Sequence, residues 1–216
     1  MIKVAIVGAS GYAGAELVSI LLKHPEVLLT RLFVSEKSED KYKKINSLYG
    51  SLYNKTDLIL EPLPAAEKLK YDFKAIDAVF LATDHKVSHD IAPILYDAGC
   101  AVFDLSGAYR LKNLSAYEKY YGFKHENLEL LNKAVYSLCE IASHDAIKNT
   151  RILSIPGCYT TSAELPLIPL CREKLLDADF APVINSVSGV SGAGRKAKLS
   201  NSFCEVSLNA YNIFKH

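Results

Sequence analysis

Apolar residues come in short, nearly continuous runs, and between the runs they recur at helical spacing. Ile2 to Val7 is β-branched and mostly continuous, the pattern of a strand buried on both faces. Gly8 to Gly14 turns the chain. Ala15 to Lys23 then carries Leu17, Val18, Leu21 and Leu22 on one helical face, and His24-Pro25 ends that helix. Val27 to Val34 predicts a second strand, followed by the polar stretch Ser35 to Lys44. Ala78 to Ala82 is another apolar run; a helix pattern follows to Ala98, with Gly99 where a helix C-terminus favours glycine. Cys100 to Leu105 reads as a further strand, and the tyrosine-rich segment Tyr109 to Tyr121 as a surface excursion. Strand and helix thus alternate at the period of βαβ units, which predicts an α/β fold with a Rossmann-type doubly wound parallel sheet.

A second regime starts near Arg151. Ile152 to Ile155 is a strand candidate, Pro156-Gly157 a turn, and Cys158 to Leu176 a helix that Pro166 and Pro169 should kink or break. Val183 to Val187 predicts one more strand, leading into the glycine-rich run Ser188 to Arg195. No internal repeat interrupts this order. The pattern divides the chain into a first domain over 1–150 and the start of a second over 151–216.

Composition narrows the classes of function. The 216 residues hold 25 Lys+Arg against 24 Asp+Glu, a formal charge of +1, so the basic surplus of a nucleic-acid binder is missing. Half the residues are hydrophobic, enough to bury a core and to exclude disorder. No apolar run approaches the roughly 18 residues that span a bilayer, and Val4 to Val7 is too short for a signal-peptide core. Five cysteines make an odd count with no C-x-x-C spacing, which reads as free thiols in a reducing cytoplasm. His85 and His89 stand four apart without a third ligand nearby, so no metal is expected.

Three stretches carry chemistry. Gly8-Ala9-Ser10-Gly11-Tyr12-Ala13-Gly14 lies between a strand and a helix, where glycines let a backbone approach a pyrophosphate and helix amides meet its charge. Its spacing is G-x-x-G-x-x-G, one residue off the usual dinucleotide fingerprint. After the second strand, Glu36 favours the ribose hydroxyl of NAD, while Ser35, Lys37 and Ser38 favour the 2′-phosphate of NADP; the residues alone leave that choice open. Cys158 opens a helix, where the dipole favours a thiolate and free amides can hold an oxyanion on a carbon bound to the sulfur. Cys100, Cys139, Cys171 and Cys204 are read as buried structural cysteines. The loop from Gly189 to Arg195, with Lys196 and Lys198 beside it, offers amides and positive charge to a phosphate or carboxylate, or is a plain surface loop.

Together these stretches resemble the N-acetyl-γ-glutamyl-phosphate reductases, relatives of aspartate-semialdehyde dehydrogenase. The resemblance rests on Val7 to Leu17, Phe80 to His85, Phe103 to Arg110, Pro156 to Tyr159, Ser188 to Arg195 and Asn201 to Val206, in order along nearly the whole chain. It implies an NADP-binding domain followed by part of an α+β catalytic domain. It also implies NADP(H)-dependent reduction of a small acyl phosphate to a semialdehyde through a cysteine thioester, in arginine biosynthesis. The family's nucleophile falls on Cys158 and its cofactor turn on Gly8, Ser10, Gly11, Tyr12, Ala13 and Gly14. The family preference tips Ser35, Lys37 and Ser38 toward NADP, and the implied substrate contacts are Ser106, Arg110, Gly192 and Arg195. The family's catalytic histidine lies in a His-x-His-x-Pro-Glu stretch after Asn-x-Tyr, so His216 stands at the first of its two histidines. Two positions depart from the pattern: Ser137-Leu138-Cys139-Glu140 replaces Gly-Leu-Pro-Glu, and Thr160 replaces a proline.

The resemblance further implies a cytoplasmic enzyme whose full-length members are homo-oligomers, with no nucleic-acid or membrane partner. Two other readings compete: a related reductase acting on aspartyl phosphate or on a carrier-bound acyl phosphate of lysine synthesis, and an inactive cofactor-binding fragment. Since the chain reaches only the first histidine of that stretch, the expectation is weak NADP binding and little or no turnover by these 216 residues.

Overall fold

The computed structural model describes residues 1–177, 179, 181–197, 199, 202 and 204. Strands β1 (Ile2–Val7), β2 (Val27–Val34), β3 (Leu60–Pro62), β4 (Ala78–Leu81), β5 (Ala101–Asp104), β6 (Val135–Tyr136) and β7 (Ile152–Ser154) form one seven-stranded sheet in the order β3-β2-β1-β4-β5-β7-β6. Every pairing is parallel. The helices are α1 (Tyr12–Leu21), α2 (Ile45–Leu48), α3 (Ala66–Asp72), α4 (His85–Asp97), α5 (Leu114–Tyr121), α6 (Leu128–Lys133), α7 (His144–Lys148) and α8 (Cys158–Arg172).

The continuous apolar strands bury both faces because neighbouring residues point to opposite sides of the pleat. Val4 and Ile6 of β1 pack with Val18 and Leu21 of α1, Leu32 and Val34 of β2, and Ile45 and Leu52. Ala5 and Val7, one step along the strand, pack with Phe33, Leu69, Phe73, Ile91, Leu95, Tyr109 and Tyr117 on the other face. Each fully buried large side chain contributes about 1.5–3 kcal/mol by leaving water. The predicted doubly wound α/β sheet is therefore present, with α1 on one face and α3 to α6 on the other. It also keeps β7 in its layer, just past the 150/151 division drawn from the sequence.

Four expectations need correction. The segment from Tyr109 to Tyr121 is not a surface excursion: Tyr109 and Tyr117 are 1% and 0% exposed and anchor the second core. Their hydroxyls made the segment look polar, yet each has a backbone partner, His89 O for Tyr109 and Leu111 O for Tyr117. Val183 to Val187 forms no strand; it pairs with no neighbour, and Val183 and Val187 are 87% and 78% exposed. Helix α8 is not broken at Pro166 or Pro169, and it ends at Arg172, short of the expected Leu176. The carbonyls those prolines deprive of an N–H belong to Ser162 and Leu165, both exposed to water. Of the cysteines read as buried, Cys100 alone is; Cys139, Cys171 and Cys204 are exposed. Cys100 bonds the carbonyls of Phe73 and Ile76, and burial pushes its thiol up to about 11.

The second core encloses a histidine. His125 is 5% exposed, surrounded by the rings of His89, Tyr109, Tyr117 and Phe123. Burial, and then the proximity of His89, lower its ionisation from an ordinary 6.5 to about 4. The unfolded chain thus binds this proton before the fold does: the stabilisation is complete above pH 6.5 and is lost as the pH falls toward 4. Urea midpoints should drop between pH 7 and pH 4.5 by the equivalent of about 2 kcal/mol, at about 1.4 kcal/mol per pH unit. In His125→Phe most of that drop should disappear, and an unchanged drop would assign it to other groups.

Candidate active site

In a parallel sheet all strands deliver their carboxyl ends to one edge, so the loops after β1, β2, β4, β5 and β7 line a common rim. The loop after β1 leaves no room for side chains at two of its glycines. Gly8 sits at φ +87°, and a Cβ there would lie 2.2 Å from the Ala82 carbonyl oxygen; at Gly14 it would lie 2.4 Å from the oxygen of Gly8. The Gly8 and Ala9 amides both bond the Phe33 carbonyl, at 2.8 and 3.0 Å, and Gly11 N–H returns to Gly8 O. These bonds and missing side chains bring the start of α1, with Tyr12, Ala13 and Gly14 in its first turn, directly onto the end of β1.

Capping divides the longer helices into two groups. Four described helices have eight residues or more. Asp84 caps α4 by accepting Lys86 N–H, and Asn113 caps α5 by accepting Ser115 N–H. Helices α1 and α8 begin instead at Gly11 and Gly157, with no side-chain cap and no acidic residue in the first turn. Their amide edges and dipoles are left to an outside acceptor. Gly11 and Ser10 stand at one such end, and Cys158, exposed, at the other.

Beyond β2, Ser35 and Ser38 build their own turn: Ser35 Oγ accepts Lys37 N–H at 3.3 Å, and Ser35 O accepts Ser38 N–H at 2.8 Å. Glu36 is drawn to Lys41 in an ion pair of 2.9 Å. Arg195 comes here from far along the chain. Its Nη1 donates to Ser10 O at 3.1 Å, and its two terminal nitrogens hold Asp40, whose carboxyl lies below the usual range because of that guanidinium. Tyr49 donates to the same Ser10 oxygen at 2.7 Å. Gly192 lies on the same loop, in the 3-10 turn Val190–Ala193. The structure therefore brings Arg195 to the glycine turn. Cys158, at the end of β7, is three strand spacings or about 14 Å along the sheet from that turn.

Ser106 and Arg110 do gather near Cys158. Asp104, fully buried at the end of β5, accepts Ser106 N–H at 3.0 Å, and burial raises its carboxyl above the usual range. Ser106 is 4% exposed and its oxygen accepts Ala108 N–H, so it shapes the loop from within. Arg110 donates through Nε to Ile155 O at 2.8 Å and through Nη2 to Leu105 O at 2.7 Å. Sequence reasoning missed other groups on this rim. His85, the first residue of α4, accepts Gly107 N–H on Nδ1 at 2.8 Å and meets the Tyr121 ring edge-on. Tyr136 of β6 and Glu164 of α8 interact, and burial raises both above their ordinary ionisation. Only His85 gave a signal, as a polar residue directly after a strand. His216 and Lys198 lie outside the described residues. No cluster of three or more metal-ligating side chains occurs among the described residues, and none of their helices is long and apolar enough to cross a membrane.

Comparison with known proteins places this rim in context. The family model for the semialdehyde dehydrogenase NAD binding domain matches residues 3–150, and that for the semialdehyde dehydrogenase dimerisation domain matches residues 158–216. The chain is 54% identical over 216 residues to the N-acetyl-gamma-glutamyl-phosphate reductase of Pasteurella multocida (strain Pm70), and 50% identical to that of Escherichia coli (strain K12). In both cases all of this chain aligns and spans 64% of the relative's length. Among solved structures, aspartate semialdehyde dehydrogenase II of Vibrio cholerae, complexed with ASA, aligns with a TM-score of 0.56 at 22% identity. That alignment covers 80% of this chain and 47% of the other, and speaks for the fold. With its glycine turn at the end of β1, its NAD(P)-binding sheet and the two matched segments, the chain belongs to the semialdehyde dehydrogenase family.

Proposed function

We propose that this chain carries the cofactor turn and the nucleophile of an NADPH-dependent acyl-phosphate reductase whose substrate is N-acetyl-γ-glutamyl phosphate. The observation that carries the reading is the pair of uncapped helix starts on one rim, one behind a glycine turn and one bearing an exposed cysteine. The identity of about half to the named reductases supports the choice of substrate. Residues 1–150, with β7 completing their sheet, would form the dinucleotide-binding part, and 151–216 part of the catalytic one. A cytoplasmic setting and a homo-oligomeric full-length assembly belong to the same reading.

The residues fit a dinucleotide on the structure's own terms, since Gly8 and Gly14 have no room for a Cβ and α1 has no cap of its own. Gly8, Ser10, Gly11, Tyr12, Ala13 and Gly14 would hold the pyrophosphate, and NADPH when bound supplies a hydride to the acyl carbon. Ser35, Lys37 and Ser38 would take the 2′-phosphate, with Glu36 held away by Lys41. In Lys37→Ala the Kd for NADPH is expected to rise about tenfold, the weight of a hydrogen bond to a charged group, with little change for NADH. Equal changes for both would remove Lys37 from phosphate recognition.

At the other helix the Cys158 thiolate attacks the carbonyl carbon of the acyl phosphate. A C–S bond forms, the C–O bond to phosphate breaks, and phosphate departs with the electron pair to leave a thioester. First-turn amides of α8 hold the oxyanion of the tetrahedral stage. After reduction the hemithioacetal releases the semialdehyde and returns the thiolate. His216 is the proposed acid/base that takes the thiol proton and protonates the departing oxygen. Gly192 and Arg195, which the resemblance implies as substrate contacts, share a loop that stands at the glycine turn, with the guanidinium on Asp40 and Ser10 O. From this position they would serve the cofactor end of the rim and reach the acyl group only after that loop moves toward Cys158. Phosphate release with N-acetyl-γ-glutamyl phosphate against aspartyl phosphate tests the reading; preference for the aspartyl compound would replace the substrate.

A further inference from the structure

The structure assigns Arg110 as a positioning residue for Cys158, acting through the backbone that precedes it; this rests on the reading of Cys158 as the nucleophile. The turn between β7 and α8 is only Ile155-Pro156-Gly157. Pro156 has no N–H to donate and Gly157 no side chain to pack, and the Gly157 carbonyl is taken by Thr161 N–H inside α8 at 2.9 Å. Ile155 anchors the turn from the strand side, held at both ends of its own residue. Its N–H donates to Asp104 O at 2.9 Å, and its carbonyl accepts Arg110 Nε–H at 2.8 Å. The same guanidinium donates to Leu105 O at 2.7 Å through Nη2. A single planar group thus spans the loops after β5 and β7 and holds two carbonyls at a set separation.

Arginine suits this task because its donors are fixed in one plane, whereas a lysine ammonium on a flexible stem holds one carbonyl well and two poorly. Arg110 is itself partly buried and follows Gly107, where a Cβ would lie 2.3 Å from the Tyr121 ring, so its backbone has little freedom to drift. The consequence is that the first residue of α8 keeps its thiol at the amide edge of its own helix. With two of the five donors on carbonyls, three remain, so the positioning role stands beside the substrate contact that the resemblance implies.

The test uses iodoacetamide labelling of the 216-residue chain with peptide mapping, which needs no turnover. Cys139, Cys171 and Cys204 are exposed references, and buried Cys100 reports unfolding. In the unaltered chain Cys158 should react fastest near pH 7.5. In Arg110→Met its rate should fall about two- to fivefold, the weight of a helix-terminus interaction, with the references unmoved. At about pH 10.5, where exposed thiols are ordinarily ionised, the two chains should label Cys158 alike. Arg110→Lys should lie between them. Cys158 labelled at the unaltered rate in Arg110→Met, with Cys100 still protected, would overturn the positioning role. Should Arg110→Met expose Cys100, Arg110→Lys decides: an intermediate Cys158 rate upholds the role and an unaltered rate overturns it. Equal rates for Cys158 and Cys139 in the unaltered chain would overturn the nucleophile reading itself, and the positioning role with it.

Discussion

In a form of the protein long enough to turn over, Cys158→Ser is expected to lower acyl-phosphate reduction by about 10³-fold or more, because a serine hydroxyl at neutral pH is a far poorer nucleophile than a thiolate. The replaced atom is exposed at the start of α8, and no residue of that helix is buried, so the fold should be indifferent to the change. Unchanged urea midpoints, together with the lost activity, would separate chemistry from stability. NADPH affinity should also stay constant, since Cys158 is three strands removed from the turn that follows β1. Retention of even a tenth of the rate would mean that the acyl group never passes through this sulfur.

The second large effect is expected at Gly8. Gly8→Ala places a methyl 2.2 Å from the Ala82 carbonyl oxygen and forces an L-residue to φ +87°. Neither strain can be relieved by a side-chain rotation, because the obstacle is the backbone that follows β4. The expected cost is about 2–4 kcal/mol, from a left-handed backbone and an overpacked core combined. Dinucleotide binding should fall with it, as the start of α1 is pushed off the strand end. Gly14→Ala meets the Gly8 oxygen at 2.4 Å and should behave alike. At Gly11 the nearest atom is 3.5 Å away, so Gly11→Ala should cost under about 1 kcal/mol and serve as the control. Urea titration of the three variants checks the ranking; a Gly11 variant as damaged as the Gly8 variant would contradict it.

Where the sequence was legible, a single physical rule governed the segment. Ile2–Val7 read as a strand, buried on both faces from Val4 onward, and the glycines after it as a tight strand-to-helix turn. Cys158 was legible for the same reason, as a cysteine following Pro-Gly at the start of a helical pattern. What escaped was decided by tertiary contact. Tyr109 and Tyr117 look polar in isolation, and only the fold supplies the backbone carbonyls that let their hydroxyls be buried. Strands β3 and β6 have three and two residues, too few for any periodicity to register. Val183 to Val187 has the composition of a strand, and what it lacks is a partner. Arg195 carried a sequence signal for anion binding, yet nothing in its neighbours indicated Asp40 or Ser10, more than 150 residues earlier.

Trapping the acyl-enzyme tests the role of Cys158 directly. The 216-residue chain would be mixed with N-acetyl-γ-glutamyl phosphate in the absence of any dinucleotide, quenched in acid, and analysed by intact mass and peptide mapping. The expected result is one N-acetylglutamyl group per chain, carried on the Cys158 peptide and removed by hydroxylamine, with an equal amount of phosphate released and none of either in Cys158→Ser. Phosphate release without an adduct, or an adduct that persists in Cys158→Ser, would contradict it.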